Sequence, residues 1–133
     1  GKNIEGKPWQ IAIEKPTTTG ERAIEAVIGL ENMGMASSGD YRIYFEENGK
    51  RFAHEIEPKT GYPIQHHLAS ITVLAPTSMT ADGLSTGLFV LGEDKALEVA
   101  EKNNLAVYLI IKTDNGFITK SSSAFKKLTE TKE

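Results

Sequence analysis

An Asn-Gly pair at positions 48 and 49 constrains the fold of this chain more than any other local feature. The pair lies between two alternating runs, which together read YRIYFEENGKRFAHEI over residues 41–56. Asn-Gly readily adopts the positive φ angles of a type I′ turn, the two-residue connection that joins antiparallel strands. The sequence therefore predicts a β-hairpin here and antiparallel pairing in at least part of the sheet.

The rest of the chain predicts more strands than helices. Strands are expected at 8–14, at 22–30 (where a helix is the alternative), at 68–76, and at 105–113 and 117–121, the last two forming a second hairpin. Helices are expected from about Thr80 to Leu91, ended by Gly92, and over 93–104, with a short element at 123–128. Because strands and helices do not alternate regularly, we expect an α+β fold with helices packed on a largely antiparallel sheet.

Size and composition exclude several classes of protein. The chain has 133 residues, which predicts a single domain, and its net charge of -3 gives no field that would recruit nucleic acid or an anionic membrane. No apolar run approaches the roughly 18–20 residues that span a bilayer. The absence of cysteine excludes disulfides, a thiolate zinc site and a Cys nucleophile. The start GKNIEGKPW lacks a Met and a signal-peptide pattern, so we expect a fragment or a processed product.

Three oxygen-bearing side chains share one face of the predicted helix in TADGLSTGLFVLG. Asp82, Ser85 and Thr86 stand at i, i+3 and i+4, near the predicted N-terminus, while the rest of the helix is apolar and expected to be buried. Such a set suits a hard cation such as Mg²⁺ if a bound phosphate adds negative charge. The alternative is an ordinary capped helix whose hydroxyls bond to backbone carbonyls. Spacing alone leaves both interpretations open.

Two other segments carry candidate chemistry. His54 ends the first hairpin and precedes the tight loop EPKTGYP, where it is either a general base or a surface histidine at a strand end. In that loop, Thr60 and Gly61 either donate hydroxyl and N–H groups to a phosphate or simply form the turn. Asp40 follows small residues in ASSGDY, which could hold a ribose or phosphate or could form a β-bulge.

The adjacent pair His66-His67 is a weaker candidate for metal binding. Neighbouring residues on a strand point to opposite faces, so the pair is expected to chelate poorly and to be structural. The sequence contains no P-loop, Rossmann fingerprint or zinc motif.

Three stretches in this order resemble one known family: GKNIEGKPWQIAIEKP, ASSGDYRIYFEENGKRFAHEIEPKTGYP and TADGLSTGLFVLG. Their combination of S-G-D-Y, H-x-I-x-P-x-T-G-Y-P and A-D-x-L-S-T resembles the C-terminal part of the ApbE family, the FAD:protein FMN transferases, over essentially the whole chain. The resemblance implies an enzyme that binds FAD with Mg²⁺, attaches FMN through a phosphoester to Ser or Thr of a target protein, and releases AMP.

The resemblance also implies partners and a location. Implied targets are flavoprotein subunits of membrane redox complexes of the NADH:quinone oxidoreductase and Rnf types. The implied location is the bacterial periplasm, with a lipid anchor to the inner membrane in a missing N-terminal part. Since family enzymes are more than twice as long, the chain is expected to be their C-terminal portion and to hold only part of the site.

Residue roles follow from the matching motifs. The metal ligands implied by A-D-x-L-S-T are Asp82, Ser85 and Thr86. The histidine motif implies His54 as the base near the reacting phosphate and Ile56 as a flavin contact, while the supporting cofactor-binding residues are Thr60, Gly61 and Asp40. Glu57 stands where the family usually has Asp, which leaves the role of that position open.

Other functions compatible with these residues are of two kinds. A member of the same family could bind FAD, or hydrolyse it as a pyrophosphatase, without transferring FMN. An interaction domain could contain the same polar residues purely as caps and turns.

Overall fold

Strands joined as hairpins dominate the computed structural model, which describes residues 1–17, 21–40 and 44–129. The elements in these ranges are, in chain order, β1 (Trp9–Lys15), β2 (Ala23–Leu30), β3 (Gly34–Gly39), β4 (Tyr44–Glu47), β5 (Lys50–Ala53), β6 (Ile56–Glu57), β7 (Tyr62–Pro63), β8 (Leu68–Ala75), α1 (Ser78–Leu91), α2 (Glu93–Lys102), β9 (Ala106–Thr113), β10 (Gly116–Ser121) and α3 (Ser123–Thr129). The predicted α+β class, with antiparallel sheets and packed helices, is confirmed.

The central sheet has four strands in the order β10-β9-β8-β3, and each neighbouring pair is antiparallel. Strand β8 is buried along its whole length. It lies between β9 and β3 and has a packed layer on each face, so both sets of its alternating side chains are apolar or small. This explains why LASITVLA reads as a continuous apolar run rather than as an alternating one.

Helices α1 and α2 cover one face of the central sheet. Phe89 of α1 and Ala96 of α2 are fully buried there and pack with Val73 of β8 and Leu109 of β9 in one apolar cluster. Burial of a side chain such as Phe89 contributes roughly 1.5–3 kcal/mol to folding. The apolar part of α1 therefore anchors the helix, and with it the polar face that the sequence singled out.

The β1–β2 hairpin and α3 cover the opposite face of the sheet. Ile13, Ile28 and Phe125 pack there with Leu74 of β8 and Ile110 of β9. Strands β1 and β2 pair antiparallel, with one register irregularity after Ile13. Residues 23–30 are therefore a strand, which excludes the helical alternative for that segment.

The Asn-Gly turn has the predicted geometry. Asn48 and Gly49 have φ angles of 52° and 75°, as a type I′ turn requires. Glu47 pairs with Lys50 across the turn, and β4 and β5 are antiparallel. The hairpin is confirmed over β4 and β5, while residues 41–43 of the predicted first strand lie outside the described residues.

Helix α1 begins two residues earlier than predicted. It starts at Ser78 rather than Thr80, because Thr77 is the N-cap and its side chain accepts a hydrogen bond of 3.2 Å from the Thr80 N–H. It ends at Leu91, and Gly92 follows with a φ of 77°, as the sequence predicted.

The remaining predicted elements are also present. The expected second hairpin corresponds to β9 and β10, the helix expected at 93–104 is α2 and ends at Lys102, and the short element at 123–128 is helix α3. None of the described helices is both long and apolar enough to cross a bilayer.

Gly34 lies where β3 meets the start of α1, and its lack of a side chain permits this contact. A Cβ at this position would lie 2.4 Å from the Ser78 nitrogen and 2.5 Å from the Thr77 carbonyl carbon, both backbone atoms. We expect Gly34→Ala to lower the free energy of unfolding by about 3 kcal/mol, since the helix backbone has to move to relieve the overlap. Urea-induced unfolding measures this change.

The matched control is Gly83→Ala, in the same helix. A Cβ at Gly83 meets nothing within 4 Å. This substitution is expected to stabilise the helix by roughly 0.5–1 kcal/mol, because alanine has the higher helix propensity. Equal unfolding midpoints for the two variants would contradict the close approach of β3 and α1.

Candidate functional site

The polar face of α1 is present, but its three residues differ in exposure. Asp82 and Thr86 are exposed, whereas Ser85 is fully buried. Because the helix begins at Ser78, its first turn contains no acidic residue, and Asp82 lies beyond the free N-terminal amides. Asp82 is therefore farther from the helix N-terminus than predicted, and the case for a cation depends on the oxygen atoms themselves.

Ser38 of β3 adds a fourth oxygen to this face. Its Oγ lies 3.0 Å from Ser85 Oγ and 3.5 Å from Thr86 Oγ1. The Ser85 hydroxyl donates its proton to the Asp82 carbonyl at 2.9 Å, so Ser38 has to be the donor to Ser85. Because the Ser38 proton is used in this way, Thr86 is the donor in the contact between Thr86 and Ser38. We call Ser38, Asp82, Ser85 and Thr86 the oxygen cluster.

Strand alternation explains why Ser38, and not its neighbour, reaches α1. Ser37 points to the other side of β3, where its Oγ lies 2.7 Å from Thr72 Oγ1. Sequence reasoning quoted the S-G-D-Y motif but did not assign a role to Ser38. The signal that could have identified Ser38 is its spacing from Asp40. Residues two positions apart along an extended chain point to the same face.

The exposed part of the oxygen cluster fits a hard cation. The Asp82 carboxylate makes no hydrogen bond or ion pair with any other described residue. A carboxylate and a threonine hydroxyl are the ligand types that Mg²⁺ takes, with water or phosphate oxygens completing the shell. No group of three or more His, Asp or Glu side chains in the described ranges could hold a metal, so a cation here would need charge from its ligand.

The burial of Ser85 favours an indirect role for this residue. Its proton is used by the Asp82 carbonyl and its oxygen accepts from Ser38, inside the α1–β3 contact. It therefore holds Ser38 and the helix in register. Direct ligation of a metal by Ser85 stays a prediction.

His54 lies between β5 and β6, with 44% of its side chain exposed. Its Nδ1 lies 3.1 Å from Oε2 of Glu55, whose side chain is only 10% exposed. Burial raises the pKa of the Glu55 carboxyl above its ordinary value, and the nearby Asp40 charge acts in the same direction, while the Glu55 backbone N–H and His54 oppose the rise. Sequence reasoning missed Glu55, because a charged residue after a strand-end histidine carries no motif signal.

Asp40 lies directly after β3, and both its backbone and its side chain have partners. Its N–H donates to the Ala69 carbonyl at 3.2 Å, and its Oδ2 accepts a hydrogen bond from Lys112 Nζ of β9. Its Oδ1 is buried without a hydrogen-bond partner. A β-bulge is excluded for the preceding residues, because β3 pairs with β8 in unbroken register. The predicted contact of Asp40 with a ribose or phosphate would therefore involve a carboxylate that is already paired with Lys112. Sequence reasoning missed this pairing.

The loop after His54 uses its backbone groups to form a turn. The Glu57 carbonyl accepts hydrogen bonds from the N–H groups of Thr60, at 3.2 Å, and Gly61, at 2.8 Å. Since both donors are used, the turn interpretation is favoured over phosphate binding by these amides, and contacts of Thr60 and Gly61 with a cofactor stay predictions. Ile56 is 48% exposed on β6, where it is accessible to a ligand.

Glu57 also forms this turn through its side chain. Its Oε1 accepts a hydrogen bond of 2.9 Å from the Lys59 N–H. A shorter Asp makes the same i to i+2 bond in an Asx-turn. The longer side chain thus keeps the local contact, which accounts for Glu at a position where Asp is expected.

Comparison with known proteins identifies the family. Residues 1–109 match the model of the ApbE family. The chain belongs to the ApbE family. The recognition based on the three sequence motifs is confirmed, and the match includes every residue of the oxygen cluster and of the His54 segment.

Curated ApbE relatives carry one name. The chain is 96% identical over all of its 133 residues to an FAD:protein FMN transferase of Haemophilus influenzae, and 50% identical over 126 residues to an FAD:protein FMN transferase of Escherichia coli K12. It covers 38% and 36% of those two proteins, so it spans little more than a third of their length.

Solved ApbE structures have the same fold. The apo form of the Pseudomonas stutzeri flavinyl transferase ApbE superposes with a TM-score of 0.81 at 43% identity, covering 97% of this chain and 39% of that one. The Vibrio cholerae flavin transferase ApbE gives a TM-score of 0.83 at 46% identity, with 96% and 40% covered.

A groove of about 490 Å³ lies next to the histidine motif of this ApbE chain. Its walls are the 57–66 segment and the C-terminal end of α1, including Thr60, Tyr62, His66 and Leu91. The groove combines apolar walls with a few polar groups, a composition typical of small-molecule sites.

The pair His66-His67 does not lie in a strand, contrary to the prediction. The Nδ1 atoms of both approach the Glu93 carboxylate, at 4.0 Å for His66 and 3.4 Å for His67. The two residues precede β8 in a bend, where strand alternation does not apply. The His66 Nδ1 accepts a hydrogen bond of 3.2 Å from the Leu68 N–H, so that nitrogen already serves the backbone.

Protonation of His66 is expected to make stability depend on pH. Burial lowers the pKa of His66 below the ordinary 6.5, although the Phe89 carbonyl and Glu93 oppose the effect. Below pH 6.5 the unfolded chain takes up this proton before the native one does. The free energy of unfolding is therefore expected to be at its full value above pH 6.5 and to fall as the pH drops through the lower native pKa.

Unfolding in urea between pH 5 and 8 measures this dependence. His66→Gln is expected to reduce the fall in the free energy of unfolding at acidic pH. His67→Gln, at a side chain that is 77% exposed, is expected to leave that fall unchanged. An equally steep fall in the free energy of unfolding at acidic pH in His66→Gln and in the parent protein would show that His66 does not cause it.

Proposed function

We propose that this chain supplies the metal- and phosphate-binding part of an FAD:protein FMN transferase. The enzyme would move the FMN half of FAD onto a Ser or Thr hydroxyl of a target flavoprotein and release AMP. The observation that carries the proposal is the oxygen cluster, in which an exposed Asp82 carboxylate, without a partner among the described residues, shares a helix face with Thr86 next to Ser38. The names of the relatives support the choice of substrate.

The bonds exchanged define what the site has to do. The oxygen of the acceptor hydroxyl forms a bond to the phosphorus of the FMN half, and the bond from that phosphorus to the bridging oxygen breaks. AMP leaves with the bridging oxygen, and the hydroxyl proton passes to a base. A bound Mg²⁺ would neutralise charge on the phosphate oxygens during this exchange.

The residues divide this work between two segments. Asp82 and Thr86 hold the cation, Ser38 lies beside them to contact a phosphate oxygen, and Ser85 keeps Ser38 and α1 in register. His54 accepts the proton of the acceptor hydroxyl.

The remaining assigned residues act as supports of the cofactor. Ile56 offers an exposed apolar side chain to the flavin. Thr60, Gly61 and Asp40 shape the loop and strand end beside it.

The wider setting belongs to the same proposal. Residues 1–133 form a single domain that is the C-terminal portion of a longer enzyme. Its targets are flavoprotein subunits of redox complexes of the NADH:quinone oxidoreductase and Rnf types, and it acts in the bacterial periplasm, held at the inner membrane by a lipid anchor. The resemblance to the ApbE family is the support for these statements. The partial coverage of the relatives supports only that the chain is part of a longer enzyme.

The test uses the full-length protein with FAD, Mg²⁺ and an acceptor peptide that contains Ser or Thr. We expect FMN attached to the peptide, detected by mass spectrometry, and one AMP released per peptide labelled. Free FMN and AMP without labelling would show an FAD pyrophosphatase instead. FAD binding without AMP would show a binding protein, and no binding of FAD would overturn the proposal.

A further inference from the structure

The buried carboxylate of Glu55 lies beside the histidine proposed as the base. Glu55 is nine-tenths buried, and its Oε2 is within ion-pair distance of His54 Nδ1 but outside hydrogen-bond geometry. No other described side chain forms a salt bridge with Glu55. Ionisation of a carboxyl group with so little access to water costs free energy unless a cation lies next to it.

The backbone fixes Glu55 in this position. Its carbonyl accepts a hydrogen bond of 3.2 Å from the Ile64 N–H, which ties the residue to the far end of the β6–β7 hairpin. Its own N–H interacts with its carboxylate and favours the charged form. The carboxylate is therefore held on the Nδ1 side of the imidazole rather than carried by a mobile side chain.

Among the described residues, the charged groups around Glu55 leave the His54 imidazole as its counter-ion. Asp40 is close enough to repel Glu55, and Lys112 on β9 is bonded to Asp40. Burial lowers the pKa of His66, in the bend before β8, and so disfavours a positive charge on its ring. The His54 imidazole, 3.1 Å away, is thus the described group placed to interact with the Glu55 carboxylate.

We propose that Glu55 is a positioning residue that orients the His54 imidazole through Nδ1 and stabilises its protonated form during FMN transfer. This inference rests on the proposed function. With Nδ1 turned to Glu55, proton exchange with the acceptor hydroxyl takes place at Nε2. Glu55 itself stays ionised and takes no proton, so the balance of the transfer reaction is unchanged. A hydrogen bond between Nδ1 and the Glu55 carboxylate is expected to form when substrate is bound.

The first measurement is kinetic and uses the full-length enzyme with FAD, Mg²⁺ and acceptor peptide. Glu55→Gln, which keeps the shape and removes the charge, is expected to lower kcat about 10- to 100-fold while KM changes less than about twofold. Glu55→Asp is expected to recover part of the loss. Glu98→Gln, at an exposed acid of α2, is the control and is expected to match the parent enzyme.

The second measurement needs neither FAD nor acceptor. Nitrogen NMR of the full-length protein reports which ring nitrogen of neutral His54 carries the proton, with the resonance assigned by its loss in His54→Gln. We expect Nδ1–H to predominate in the parent protein and the Nε2–H population to rise severalfold in Glu55→Gln. If that variant does not fold, Glu55→Met, which also removes the charge, provides the same comparison.

The two measurements separate the failure of each proposal. A parent enzyme that transfers FMN, with Glu55→Gln unchanged in both kcat and tautomer, would overturn the role of Glu55 and leave the proposed function standing. A parent enzyme without transfer would overturn the proposed function, and the tautomer populations would still decide whether Glu55 orients His54. A loss confined to KM would also overturn the positioning role.

Discussion

Asp82→Asn is expected to lower FMN transfer by the full-length enzyme by on the order of 100-fold or more. The carboxylate of Asp82 is the charged member of the oxygen cluster and has no partner among the described residues, so the amide removes the negative charge offered to a cation. Stabilisation of a transferring phosphoryl group by a metal is worth several kcal/mol, and each 1.36 kcal/mol is a factor of about ten. Peptide labelling at saturating FAD, with Mg²⁺ titrated, measures the effect.

The control for Asp82 is Asp94→Asn, at an exposed acid on α2. It removes the same charge from the neighbouring helix, and we expect unchanged labelling. The apparent affinity for Mg²⁺ should fall in Asp82→Asn alone, and the melting temperatures of the two variants should be similar. Normal labelling by Asp82→Asn at low Mg²⁺ would show that the cation is held elsewhere.

His54→Ala is expected to lower kcat by roughly 10²- to 10⁴-fold, the usual contribution of a general base. Binding of FAD should persist, because the oxygen cluster on α1 and β3 is left intact. Single-turnover labelling separates the chemical step from binding, and added imidazole is expected to restore part of the rate by replacing the lost base.

The control for His54 is His67→Ala, which removes an exposed imidazole from the bend before β8. Its labelling rate should equal that of the parent enzyme, with or without imidazole. A His54→Ala enzyme that labels at the parental rate would assign proton transfer to another group. A loss of FAD binding equal to the loss of rate would instead make His54 a binding residue.

Local sequence signals predicted the elements of the fold well, because each depends on neighbours in the chain. Asn48-Gly49 adopts positive φ angles whatever packs around it, and Gly92 ends α1 for a related reason. Strand β3 was not predicted, and other local predictions needed correction. The start of α1 moved to Ser78 because Thr77 is the better cap, and His66-His67 lie in a bend rather than in a strand.

The candidate site was predictable only in part. Helical periodicity places Asp82 and Thr86 on one face, and the structure keeps them exposed together. Periodicity does not show that Ser85 faces the sheet or that Ser38 meets it from a strand 47 positions earlier. The pairing of Lys112 with Asp40 across 72 positions has no local signal either.

The sequence by itself determined the hairpin turns, the α+β class, the membership of the ApbE family and the polar face of α1. Backbone conformational preferences and side-chain periodicity act over a few residues, so they can be read without a fold. Only the tertiary structure decided which hydroxyl is buried, that β3 contributes Ser38, that the Glu55 carboxylate is buried, and that Lys112 lies beside Asp40. These facts depend on burial and on charges brought together by sheet pairing, and such interactions exist only once distant segments are packed.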